Sequence, residues 1–159
     1  MLRFVLYGLL GWCAEIVWTA GYDAIAGTAR SPGDGVARGP LSRGERLRLE
    51  GHTYLWMLPI YGSAALLFEP VHDAVRALHV LLRGAIYAIG IFAVEYAAGF
   101  LLKRATGACP WDYSYARTSV SGYIRLDYAP VWFCFGLLLE RAHDTITAIT
   151  PALRAALFP

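Results

Sequence analysis

A chain of 159 residues, 57% hydrophobic and only 16% charged, has room for one domain and too little charge for an ordinary soluble one, where about 25% of residues are charged. Its net charge of +2 gives no basic surface of the kind nucleic acid requires, so no nucleic-acid partner is expected. Three scattered cysteines, Cys13, Cys109 and Cys134, form no CxxC pair and leave an odd count, which argues against a disulfide framework and against a zinc-thiolate site.

A membrane-spanning helix takes roughly 20 mostly apolar residues. The first such segment covers residues 4–22 and carries one charge, Glu15. Arg3, the apolar run and Ala24-Ile25-Ala26 also outline a signal peptide, but an acid inside the run favours a retained helix. Residues 28–49, rich in Gly, Arg and Ser with Pro32 and Pro40, predict a flexible loop. A second, shorter segment covers 54–68, with Pro59 near its start and Glu69-Pro70 expected to close it. The third, 84–102, is the most apolar and encloses Glu95. A second long loop, 103–127, holds Cys109, Trp111, Asp112 and Tyr113, aromatic chemistry that suits the membrane–water interface. The fourth segment opens at Pro130, covers 128–139 and reaches Glu140, with a continuation to Ile149 open. Gly8, Gly11, Gly90 and Gly99 would let helices approach closely. The expected fold is therefore all-α, an integral membrane four-helix bundle forming a single transmembrane domain over 1–159, with polar loops at about 23–53 and 103–127.

The chain also predicts an internal duplication. Arg3, Tyr7 and Glu15 recur as Arg83, Tyr87 and Glu95 at an offset of 80. Gly51, Leu55, Pro59 and Glu69 recur as Gly122, Leu126, Pro130 and Glu140 at an offset of 71, and Leu66-Leu67 and His72-Asp73 recur as Leu137-Leu138 and His143-Asp144. The first loop is nine residues longer, which accounts for the change of offset. Two tandem two-helix repeats, about 1–79 and 80–159, would each cross the membrane in the same sense, with a ligand site expected at their interface.

Glu15 and Glu95 are the candidate intramembrane polar site, with Tyr7 and Tyr87 on the same helix stripes. A charge at mid-membrane costs about 2.5–3.5 kcal/mol, so each acid needs a partner, a water-filled cavity or a proton. A purely structural use, locking the bundle by hydrogen bonds, is the alternative. Arg3 and Arg83 lie 12 residues from these acids, about 18 Å along a helix, and are expected to pair instead with Glu69 and Glu140 at the same end of the bundle. Glu69-x-x-His72 and Glu140-x-x-His143, with Glu15 and Glu95, also reproduce the residue types of a di-iron four-helix site. The acids lie at the other end of their helices, so no metal is favoured and no cofactor is expected.

The runs Val94-Glu95-Tyr96-Ala97-Ala98-Gly99-Phe100 and Ala108-Cys109-Pro110-Trp111-Asp112-Tyr113-Ser114, with Gly11-Trp12-Cys13-Ala14-Glu15, Gly122-Tyr123-Ile124 and Trp132-Phe133-Cys134, resemble the vertebrate transmembrane protein 229 family. With Pro59-Ile60-Tyr61-Gly62 they also resemble a bacterial family labelled as ABC-transporter permeases (CmpB-like). His72, His143 and the long, arginine-rich first loop depart from the vertebrate pattern. The resemblance implies a four-helix membrane protein of permease type and supplies no substrate. Function is expected to be transport or lipid handling, with the bilayer and a second copy or other membrane subunits as partners. An enzyme acting on lipid through the carboxylates or the 109–115 loop, and an assembly subunit without a site, are the alternatives. No phosphate-binding P-loop is present. With Arg3 and Arg83 set aside, nine basic residues fall in the two long loops and three (Arg76, Arg141, Arg154) on the other side, which predicts cytoplasmic loops.

Overall fold

The structure, a computed structural model, describes residues 1–30 and 37–158. Its fold is all-α, with two small hairpins in the connections. Helix α1 (Leu2–Ala26) stops at Gly27, whose φ of 70° is the left-handed conformation that glycine adopts without penalty, and whose N–H caps the Asp23 carbonyl. Strands β1 (Thr28–Arg30) and β2 (Ala37–Pro40) pair antiparallel, and the short helix α2 (Arg43–Arg48) follows. Ser42 and Glu45 form a reciprocal capping box at its start. Arg46 then reaches back to the carbonyls of Ala24 (2.6 Å) and Ile25 (3.4 Å), the exposed negative end of α1. The 28–49 stretch expected to be a flexible loop is thus ordered on both sides, by strand pairing and by Arg46, while its residues 31–36 lie outside the described part.

The segment 50–53 runs along α1, held by Thr19 and the His52 backbone (2.9 and 3.1 Å); just beyond it, Trp12 Nε1 donates to the Tyr54 carbonyl (3.0 Å). Helices α3 (Met57–Gly62) and α4 (Ala64–Val75) follow, separated at Ser63. Pro70 does not end α4 as the sequence suggests. It loses its bond to the preceding turn and crowds the carbonyl four residues back, but the buried residues beside it, Glu69 and His72, are held by Arg3 and Tyr87 of other helices. Helix α5 (Val80–Thr106) ends at the left-handed Gly107. A hairpin of β3 (Ser119–Val120) and β4 (Ile124–Arg125) leads through a 3-10 turn into α6 (Ala129–Leu157), with Pro130 in its first turn. Its 29 residues measure about 43 Å, running past Glu140 and past the open continuation to Ile149.

Helices α1 and α5 are the two, among the described residues, long and apolar enough to cross a membrane, with mean hydropathy 1.4 and 1.8. Only 22% and 17% of their apolar stretches is buried, whereas the core helix of a soluble protein would be mostly enclosed. Val17, Leu66, Ile89 and Leu101 all point outward. An exterior this apolar matches lipid and not water. α1 packs mainly on α3 and α5 mainly on α6, with lighter contacts of α1 with α4 and α6 and of α4 with α5. Small residues allow this approach. A Cβ on Gly11 would fall 2.1 Å from the Tyr61 ring, one on Gly62 2.8 Å from Phe4, one on Gly84 2.4 Å from Phe133, and one on Gly136 2.4 Å from Tyr87. Gly8 and Gly99 are similarly close to Leu58 and Tyr123. Gly90 is not a contact point: nothing lies within 4 Å of its Cβ position, because it faces a cavity.

Candidate functional site: an acid-lined cavity

That cavity, about 670 Å³, is lined by α1, α3, α4, α5 and α6 and by the loop before β3. Along α1 its lining extends from Tyr7 to Asp23, about 24 Å at 1.5 Å per residue. The stripes Tyr7, Gly11, Glu15 and Tyr87, Ile91, Glu95 all open onto it. Most of the remaining wall is aliphatic or aromatic, including Trp18, Tyr61, Phe68 and Trp132.

Glu15 Oε2 accepts a hydrogen bond from Thr53 Oγ1 (2.7 Å), and the Tyr61 hydroxyl lies beside the same carboxylate. Glu95 faces the Tyr113 hydroxyl and the Trp132 indole. Neither Glu95 Oε2 nor Trp132 Nε1, both buried, has a hydrogen-bonding partner among the described residues. Tyr61 lies within electrostatic range of both acids, and Glu95 within range of Glu15. The two carboxylates therefore share one chamber. An acidic, aromatic chamber of this kind attracts a cation or a strong hydrogen-bond donor on an otherwise apolar body.

The four other charged candidates gather at the far end. Arg3 Nη2 lies 3.1 Å from Glu69 Oε2. Arg83 grips Glu140 with two bonds, Nε to Oε1 at 2.7 Å and Nη2 to Oε2 at 3.1 Å, and Tyr87 donates to Glu140 Oε1 at 2.9 Å. Tyr7 stands beside Glu69 with its hydroxyl outside bonding geometry. His72 and His143 meet with ring centroids 4.7 Å apart. Glu15 and Glu95 are not among these groups, so the six-residue di-metal arrangement is not assembled.

The 109–113 loop folds over the other end. Trp111, Asp112 and Tyr113 reach the cavity wall, whereas Cys109 lines a separate hollow of about 280 Å³ with Lys103 and Tyr123. Trp111 Nε1 donates to the Tyr123 carbonyl (2.9 Å), and the Tyr113 N–H to that of Gly122 (2.9 Å). Gly122 has φ 76°, and a Cβ there would meet Ser114 Oγ at 2.7 Å. The Ser114 hydroxyl, and after it the Ser114 N–H, holds the Asp112 carboxyl below its ordinary value, and burial raises the Cys109 thiol. Thr53, Tyr61 and Trp132, which dress the acids, were not legible as site residues. The available signal was that Tyr61 and Trp132, aromatics with a polar tip, are themselves separated by the 71-residue offset.

Residues 2–156 match the family described as "Putative ABC-transporter type IV", and the chain belongs to that family. No solved structure matches the chain.

Proposed function

From that membership and the cavity, we propose that the protein is a multi-pass permease-type or lipid-handling membrane protein that binds an apolar, cationic or donor-bearing molecule between Glu15 and Glu95. The observation that carries this is the chamber itself: one apolar wall, two acids on different helices, and an unpaired carboxylate oxygen beside an unpaired indole N–H. With no P-loop in residues 1–159, ATP-driven action would require a motor outside them.

On this reading residues 1–159 form one transmembrane domain of two tandem repeats, with α1, α3–α4, α5 and α6 as its four crossings. Paired contacts support the repeat. Arg3–Glu69 and Arg83–Glu140 are related by the offsets of 80 and 71, as are Glu15 beside Tyr61 and Glu95 beside Trp132. Phe4 on Gly62 and Gly84 on Phe133 occupy equivalent places with large and small residues exchanged. The kinship with transmembrane protein 229 and the cytoplasmic placement of both long loops belong to the same reading. Labelling of a C-terminal tag from outside the cell checks that placement, and a tag reachable only after permeabilisation would reverse it.

Glu→Gln keeps shape and hydrogen bonding but removes the charge. The double variant Glu15→Gln with Glu95→Gln should reach the membrane in normal amount yet fail to complement a deletion strain. Full complementation would leave the acids a packing role only.

A further inference from the structure

The far end of the bundle carries a second, chemically different site, and we propose that His72 and His143 bind a divalent transition-metal cation of the zinc class, clamping α4 to α6. Both imidazoles are enclosed, at 4% and 7% exposure. One ligand atom each from His72, His143 and Asp144 lies within 4.8 Å of the others. Two nitrogens on one tetrahedral zinc ion lie roughly 3.4 Å apart, a spacing within that limit.

Hydrogen bonding fixes which nitrogens are available. Glu140 is held as a carboxylate by the two bonds from Arg83 and accepts the single proton of the Tyr87 hydroxyl. Tyr87 can therefore only accept from His72, which places the His72 proton on Nδ1 (2.9 Å) and the lone pair on Nε2. Nε2 is buried and has no partner among the described residues. His143 Nδ1 lies 3.2 Å from Asp144 Oδ1, so its proton faces the carboxylate and its lone pair is left on Nε2. A carboxylate behind each imidazole, one direct and one through Tyr87, is the arrangement that orients metal-binding histidines and raises their basicity. Arg76 is the opposing positive charge near His72, set against Glu140 and Asp144. Glu140 has both oxygens bonded by Arg83, and Glu69, whose Oε2 meets Arg3, is not among the residues whose ligand atoms gather with those of His72 and His143. Phe68 stacks on His72 (5.6 Å, 10°) and lines the cavity, so the cation would lie under the chamber floor, apart from Glu15 and Glu95.

The test is calorimetric titration of Zn²⁺ into chelator-treated, full-length protein in detergent, with unfolding temperature followed in parallel. Wild type should bind about one ion per chain and unfold at a higher temperature in its presence. His72→Gln and His143→Gln should each weaken binding at least tenfold and abolish the thermal shift. His79→Gln, an exposed histidine elsewhere, and Glu15→Gln should change neither. His72→Gln removes a buried bond, so its helical circular dichroism and elution are checked, and His143→Gln carries the test if it misfolds. No binding by wild type, equal binding by His143→Gln, or loss with His79→Gln would overturn the site.

Discussion

Replacing Gly84 by Ala isolates the contact between α5 and α6. A methyl there would lie 2.4, 2.5 and 2.8 Å from three atoms of the Phe133 ring, against an ordinary carbon–carbon contact of about 3.5–4.0 Å. The ring must swing by more than an ångström or α5 must retreat. Overpacking of this kind costs about 1–3 kcal/mol, offset by about 0.8–1.0 kcal/mol of helix propensity gained from Gly to Ala. The net destabilisation is about 0–2 kcal/mol, a fall of up to roughly 8 °C in the unfolding midpoint for a chain this size. Gly90 on the same helix is the internal control. No atom lies within 4 Å of its Cβ position, so Gly90→Ala should raise the midpoint by roughly 1–4 °C. Thermal unfolding in detergent, followed by helical circular dichroism, reads both. In a Phe133→Ala background the Gly84→Ala penalty should largely vanish, a coupling that a double-mutant cycle measures. If Gly84→Ala is no less stable than Gly90→Ala, the close α5–α6 packing is wrong.

Arg83→Ala should lower thermal stability more than Arg3→Ala. Arg83 makes two bonds to Glu140 and is 21% exposed, whereas Arg3 makes one to Glu69 and is 43% exposed; equal losses would contradict that ranking. The 109–128 region should loosen in acid. Arg125 (Nε–Oδ1 3.1 Å) and Thr118 hold the Asp127 carboxyl well below its ordinary value, and Ser114 does the same for Asp112. Groups lowered in the fold contribute fully above the unfolded value of about 3.9 and lose that contribution as pH falls through the folded value. Amide-exchange protection at Val120 and Ile124 should therefore drop below about pH 4 and do so less in Asp127→Asn; unchanged protection in acid would refute the coupling.

Much of the helical layout was legible because lipid imposes one dominant requirement, long apolar runs, and acids inside those runs are conspicuous. Glu15 and Glu95 were visible for that reason, and Arg3, Arg83, Glu69 and Glu140 by their matched spacing. The details that failed were those set by tertiary partners. Pro70 looks like a stop until Glu69 and His72 are seen anchored on either side. Gly90 looks like its neighbours in sequence until the space in front of it is known. Thr53 and Tyr113, which face the acids, sit in connections without periodicity, and only folding carries them to the chamber.

The central claim, an acid-lined chamber that accepts an apolar cation, is tested most directly by equilibrium binding of tetraphenylphosphonium to the purified, detergent-solubilised protein. Saturable binding that disappears in the Glu15→Gln, Glu95→Gln double variant, while that variant keeps its helix content and elution, is the expected result. Equal binding by the double variant and the wild type, or none by either, would contradict it.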